Sequence, residues 1–465
     1  MNSVRHPSNV LLLLIILLLV APIPGILFGP LSIRLIDLSI LFLGFLALFY
    51  FLYNTRISFK SWATVLTKDK VLIFIALSSI SVIISTIAGS FLFPKETSIT
   101  DLYELYRYAF YLVFYFLACY IVKDIDQTID RFANVLFITI IIIQLFGIFQ
   151  FFNIFNINNN FGLLYTQSEH FHNMIVTQHR ISSTFANPNT YGSFLIIVLS
   201  VLLSINYIKK QTFNWLIFLT INMTLFSIII TTSRTTLITT FGLIIYAGIM
   251  QIIVRISPIK HIILKTLVVL LSFLLVVALL VPKIPYLSSA VDSVTNSLHA
   301  SEPAPKDNSN NKTCKEKKQP NNNNINKVEE SLKTVESYNL RQYYWNENLQ
   351  YFYDSPIVGA GPMKNGIAFA DNAYIYILAR YGIIGTLIYA GFFIYSYFKS
   401  FAISFKKEVN TRLLIIASTL NYIIVAYSVM GLTLESWFNI DSMILFFLLL
   451  GLLKNQKGRQ KLGIN

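Results

Sequence analysis

A succession of apolar runs, each about as long as a bilayer is thick, governs what this chain can fold into. The runs fall near 9–28, 35–53, 71–93, 105–122, 132–152, 190–207, 214–231, 235–254, 262–281, 373–398, 413–431 and 436–453. A helix rises about 1.5 Å per residue, so roughly 20 apolar residues cross the hydrocarbon layer, and these runs are about 18–26 long. The expected fold is an all-α polytopic integral membrane protein of about 12 transmembrane helices. Charged residues make up only 12% of the 465, too few to clothe a water-soluble surface, and the mean hydropathy is +0.62. Lipid is the solvent for much of the chain.

The formal net charge of +14 does not point to nucleic acid, because the basic residues sit in short clusters between the apolar runs. With the N-terminus inside, one face collects Arg5; Arg56, Lys60, Lys68 and Lys70; Lys123 and Arg131; Lys209 and Lys210. It also collects Arg255, Lys260 and Lys265; Lys399, Lys406, Lys407 and Arg412; and the tail cluster Lys454, Lys457, Arg459 and Lys461. Short loops rich in Lys and Arg stay cytoplasmic, so both termini are expected inside. The apolar run after Arg5 lacks a small-x-small cleavage site and reads as an uncleaved first span.

This topology divides the chain into a membrane domain over 1–281 with a short outer loop at 153–189, a large outer loop over 282–372, and a second membrane domain with a cytoplasmic tail over 373–465. Within the large loop, 307–327 (DNSNNKTCKEKKQPNNNNINK) is almost free of apolar residues and is expected to be disordered. Cys119 lies in an apolar run and Cys314 in that polar stretch, so no disulfide is expected between them. No Cys/His cluster or acidic cluster suits a metal, and none is expected.

Four outer segments carry the residues able to do chemistry. In RISSTFANPNTYGSFL, Asn187 and Pro188 suit a helix start, and Asn189 follows; capping explains these but not Arg180 or the nearby His170, His172 and His179. In TTSRTTLI, Arg234 sits at a hairpin between two spans, either snorkelling to headgroups or forming an anion site. In YNLRQYYWNENLQYFYDSPIVGAGP, Arg341 and Trp345 lie on a candidate interfacial helix ended by Ser355-Pro356. Gly359, Gly361 and Pro362 then form a turn whose backbone can approach a ligand closely. In DNAYIYILARYGIIG, Asp371 reads either as an N-cap or as a carboxylate that accepts a proton or orients an acceptor. Arg380 lies deeper on the same helix, where a charge needs a partner or a wet cavity, and Gly382 and Gly385 allow a bend. Together, arginines and one aspartate on one side of the membrane suit a doubly charged, membrane-embedded leaving group such as a lipid pyrophosphate.

The order of these motifs, R…NPN, then SR at a hairpin, then R…W…SPIVGAGP, then DNAYIYILARYGIIG, resembles the O-antigen ligase/polymerase superfamily, including Wzy-type repeat-unit polymerases. The resemblance spans about 180–390 and implies a C-type membrane glycosyltransferase fold. It implies a metal-independent enzyme without cofactor, in a bacterial cytoplasmic membrane with its active site facing the periplasm or exterior. The implied donor is an undecaprenyl-pyrophosphate-linked glycan, and the implied partners are a glycan acceptor, membrane lipid and a chain-length regulator. Carried over by motif, Arg180, Arg234 and Arg341 grip the donor pyrophosphate. Asn187, Asn189, Asn372 and Arg380 fall in the substrate-binding set, and Trp345, Gly359 and Gly361 shape the loop over it. Ligases commonly carry His-Asn where this chain has Asp371-Asn372, which favours a repeat-unit polymerase over an O-antigen ligase. A 12-span polysaccharide transporter or flippase fits the span count, but midplane charges and a two-half repeat are not visible in the sequence.

Overall fold

The computed structural model describes residues 15–16, 19–20, 26–28, 31–33, 35–55, 67–121, 125–166, 168–208, 214–254, 257–284, 288, 340–363, 370–406 and 409–462. The 307–327 insert, Cys314 and most of the first apolar run lie outside the described residues.

The expected first span is corrected at its end. Residues Ile26–Phe28 form a strand (β1) paired antiparallel with Leu31–Ile33 (β2), in the register Ile26↔Ile33 and Phe28↔Leu31. Pro22, Pro24 and Pro30 punctuate this stretch, and proline cannot donate to a helical ladder.

The helices then follow the apolar runs: α1 (Leu35–Thr55), α2 (Lys70–Leu92), α3 (Leu105–Phe116), α4 (Ile125–Phe151), α5 (Ile157–Tyr165) and α6 (Glu169–Gln178). Next come α7 (Pro188–Ile208), α8 (Trp215–Ile230), α9 (Arg234–Val254), α10 (Ile259–Leu280) and α11 (residues 340–354). Helices α12 (Ala373–Ser404), α13 (Thr411–Met430) and α14 (Ile440–Leu462) complete the chain. Among the described residues, apart from the β1–β2 hairpin, the fold is the all-helical one of a polytopic membrane protein.

Among the described residues, 7 helices are long and apolar enough to cross a membrane: α2, most of α4, α7, α9, α10, α12 and α13. Two expected spans are shorter helices. Helix α3 has 12 residues before a π-helical turn at Leu117–Ile121, and α8 has 16, bounded by the Asn214 cap and a turn at Thr231 and Thr232. Both nevertheless cover their apolar runs, 105–122 and 214–231, to within one residue at either end once the π turn is included, so the runs marked these helices correctly.

Helix α7 forms the centre, packed against α13, α8 and α9. Its apolar window is 83% buried, against 17% for α10 at the periphery. Outward faces carry Phe42, Phe49, Phe91, Leu271 and Leu387, the surface that lipid accommodates. Since lipid removes the hydrophobic drive between helices, close packing and polar contacts must hold them together. Gln144 Nε2 donates to Thr224 Oγ1 at 2.7 Å, Gln251 Nε2 to Tyr422 Oη at 2.7 Å, and Tyr427 Oη to the Ser193 carbonyl at 2.9 Å. At the tail end of the bundle, Asp69 caps α2, accepts from Tyr115 Oη and pairs with Lys454, tying α2, α3 and α14.

Candidate functional site

The opposite end of the bundle carries the candidate site, and local backbone chemistry builds it. Asn187 Oδ1 accepts from the Thr190 N–H at 2.9 Å and Pro188 opens α7, as the NPN motif leads one to expect. The Asn189 carbonyl accepts from Ser193 Oγ at 3.0 Å within the same helix. Upstream, His179 takes a left-handed φ of 52° and ends α6, turning the chain toward the α8–α9 connection. There Ile181 N–H donates to the Ile230 carbonyl at 3.1 Å, and Arg180 Nε donates to Thr232 Oγ1 at 3.0 Å. Arg234 is the first residue of α9 on that same connection. Arg180 and Arg234, far apart in sequence, are thus stitched to one turn. His172 instead bonds the Asn158 carbonyl at 2.9 Å, joining α6 to α5.

The turn continues into the α13–α14 loop, because Thr235 and Thr433 share a hydrogen bond between their hydroxyls. That loop reaches the start of α12: Asn372 Nδ2 donates to the Leu432 carbonyl at 2.9 Å, and Ala373 N–H donates to the Gly431 carbonyl at 2.8 Å. Ala370 then ties two elements through one residue. Its N–H donates to Glu435 Oε1 at 2.8 Å, and its carbonyl accepts from Trp345 Nε1 at 2.6 Å. Beside it, Arg341 Nε donates to Asp371 Oδ2 at 3.3 Å. Hydrogen bonds alternating with short stretches of backbone therefore link the Arg180–Arg234 turn to the Arg341–Asp371 pair.

Two local readings change. The N-cap of α12 is Asn372, not Asp371: Asn372 has extended φ and ψ of −156° and 113°, and its Oδ1 accepts from the Tyr374 and Ile375 N–H groups. Asp371 has a φ of 45°, a left-handed conformation in which it cannot cap, and its carboxylate turns to Arg341. Asn372 is engaged at both ends of its amide.

The Gly359–Gly361 turn approaches protein backbone rather than open space. Helix α12 breaks at Gly382, whose φ and ψ are 61° and −162°. Across the break, Ile383 N–H donates to the Pro356 carbonyl at 2.9 Å and Ile384 N–H to that of Ile357 at 3.2 Å. In return, Ala360 N–H donates to the Ala379 carbonyl and Gly361 N–H to that of Arg380, both at 3.0 Å. The SPIVGAG strap thus replaces both halves of the hydrogen bonds that the broken helix lost, as a discontinuous helix in lipid requires. A Cβ on Gly359 would stand 2.4 Å from the Arg380 carbonyl, so contact with the helix explains the glycine.

Arg380 lies just before that break, 2% exposed, with its guanidinium over the Tyr376 ring at 5.4 Å. Its Nε and one terminal nitrogen have no hydrogen-bond acceptor among the described residues. Sequence reasoning passed over two neighbours. Arg107 on α3 pairs with buried Glu104 and lies over the Phe438 ring at 4.8 Å. Glu435 sits in the α13–α14 loop, where burial, reinforced by the Asp371 charge, pushes its carboxyl up to about 7. Arg380, the Ala370 N–H and Arg107 pull the other way and only partly offset it. The visible signal was an acidic residue in the short connection between two apolar runs, GLTLES. Among the described residues, no group of His, Cys, Asp and Glu is arranged to hold a metal ion.

Residues 216–390 match the family model described as O-Antigen ligase, which bears out the resemblance to the O-antigen ligase/polymerase superfamily. The match supports a function of the ligase or polymerase kind and a glycosyltransferase-like activity in a multi-pass membrane protein. It contains Arg234, Arg341, Trp345, Asp371 and Arg380, and leaves Arg180, Arg107 and Glu435 outside. No curated protein matches the chain.

Proposed function

We propose, from the O-antigen ligase family domain at residues 216–390, that this protein polymerises undecaprenyl-pyrophosphate-linked oligosaccharide repeat units on the outer face of a bacterial cytoplasmic membrane. The observation that carries this reading is the set of hydrogen bonds that, with short stretches of backbone between them, ties the Arg180–Arg234 turn to the Arg341–Asp371 pair at one end of the bundle. Pyrophosphate is a good leaving group, so stabilising the charge it gains is the main chemical task. Guanidinium forks meet phosphate oxygens in pairs and keep their charge at any working pH. In this reading Arg180, Arg234 and Arg341 hold the pyrophosphate without a metal, and Asp371 fixes Arg341 and orients the acceptor sugar. Trp345, held by Ala370, and the strap through Gly359 and Gly361 set the position of α11 over the site.

The acceptor is the non-reducing end of another lipid-linked glycan, and a chain-length regulator is the natural protein partner. The description of the matching family favours a second reading, transfer of finished glycan to lipid A core or protein. Against it stands Asp371-Asn372, at the position where the superfamily resemblance implies His-Asn for a ligase. The glycan profile of a strain deleted for this gene separates them. Single capped repeat units on the acceptor support polymerisation. Long lipid-linked glycan never delivered to its acceptor overturns polymerisation in favour of the ligase.

A further inference from the structure

The Asp371 carboxylate is engaged by the Arg341 guanidinium, which gives it a positioning role. Another carboxyl lies beside it. Glu435 Oε1 is held by the N–H of Ala370, the residue that precedes Asp371 and receives Trp345 on its other face. The residues around Glu435 in the chain, Leu434, Ser436, Trp437 and Phe438, are all buried, whereas Glu435 keeps part of its surface accessible. Among the described residues it forms no ion pair, so its carboxylate is free to act on a ligand.

Resting on the polymerase reading above, we propose that Glu435 is the catalytic base that takes the proton from the attacking acceptor hydroxyl. The acceptor O–H bond breaks and the proton passes to the Glu435 carboxylate. The hydroxyl oxygen forms a bond to the anomeric carbon of the donor. The bond from that carbon to the donor pyrophosphate oxygen breaks, and its electron pair leaves with the lipid pyrophosphate. The charge that develops there falls to the arginines, and Glu435 releases its proton to water for the next cycle.

The surroundings fit this task from every side. From α12 come the Arg380 charge, the Tyr376 hydroxyl and, just before the helix, Asp371; from α3 comes Arg107, itself paired with Glu104. Burial with the Asp371 charge raises the Glu435 carboxyl to about 7, while Arg380, the Ala370 N–H and Arg107 keep it from going higher. A base titrating near the working pH combines a usable deprotonated fraction with useful proton affinity. Because the carboxyl must be deprotonated to act, turnover rises with pH through about 7.

The test uses full-length protein in nanodiscs, with lipid-linked glycan extracted from the deletion strain as substrate. Glu435→Gln keeps an oxygen for the Ala370 N–H but cannot take a proton. It is expected to lose about 10²- to 10⁴-fold in turnover, to lose the rise through neutral pH, and to bind undecaprenyl pyrophosphate within about threefold of the parent. Glu435→Asp is expected to recover part of the turnover with a shifted pH profile. A Glu435→Gln protein that turns over within about threefold of the parent, with the same pH profile, overturns the assignment. So does one that loses undecaprenyl pyrophosphate binding and thermal stability together, which makes Glu435 a packing residue. If the parent itself transfers nothing while binding the lipid, the polymerase reading falls, and this role falls with it. An active parent, an inactive Arg341→Ala and an active Glu435→Gln overturn the role of Glu435 alone.

Discussion

Arg341 on α11 and Asp371 at the foot of α12 meet through a single Nε–Oδ2 contact of 3.3 Å. Their side chains are 35% and 43% exposed, and a pair so open to solvent contributes about 0–1 kcal/mol to stability. Its consequence is therefore positional. Asp371 orients the Nε edge of the guanidinium, and in the proposed function its other donors meet the pyrophosphate.

Replacing Arg341 or Arg234 by Ala should abolish long-chain glycan while the protein still accumulates in the membrane. Arg341→Lys should recover little, because an ammonium lacks the paired donors of a guanidinium. Glycan ladders on gels, read beside protein levels, check this. Normal ladders in both alanine variants would remove the donor-site reading.

The two residues of the Asp371-Asn372 pair should separate cleanly. Asp371→Asn preserves a residue that tolerates a φ of 45°, so thermal stability should change little while transfer falls. Asn372→Ala removes the cap of α12, about 1 kcal/mol, and strands the Leu432 carbonyl at a further cost of about 1–3 kcal/mol if water cannot replace the amide. Melting of the two variants in detergent should show a clear loss only for Asn372→Ala; equal melting would refute the capping assignment.

Gly382→Ala places a Cβ 2.5 Å from the Ile357 carbonyl at a φ of 61°. Backbone of this kind costs about 1–3 kcal/mol for a residue with a side chain, and the clash adds to it. The expected result is a lower melting temperature together with lost transfer, because the strap carrying Gly359 and Gly361 moves. Gly391→Ala, where the added methyl meets nothing within 4 Å, is the matched control and should behave as the parent. Equal melting of the two variants would show that the strap does not depend on the break.

Cys314 tests the orientation of the large loop. In intact spheroplasts it should react with a thiol reagent that cannot cross membranes, whereas buried Cys119 should not. Labelling of Cys314 only after lysis would invert the topology. Deleting 307–327 should leave glycan length unchanged, since a stretch so poor in apolar residues has little to contribute to packing.

Much of this was legible in the sequence. Apolar runs marked nearly every helix, because crossing lipid demands that each segment satisfy its own backbone hydrogen bonds. The Asn187-Pro188 start and the Gly382 bend were readable because capping and glycine conformations are local chemistry. Local signals also misled where two solutions compete. Either Asp371 or Asn372 can cap α12, and only the course of the chain into the helix assigns the work to Asn372.

By itself, the sequence determined a many-helix membrane protein with arginines gathered in polar segments between its spans, since hydropathy and charge act residue by residue. Tertiary structure decided which of those residues meet. It fastened Arg180 to the turn before Arg234, paired Arg341 with Asp371, and laid the Gly359–Gly361 strap into the break of α12. It also brought Arg107 and Glu435 to Arg380 and Asp371. Such contacts join chain positions far apart, and their energy depends on how helices pack rather than on any local pattern. That is why the fold could be read in advance and the partners of its charges could not.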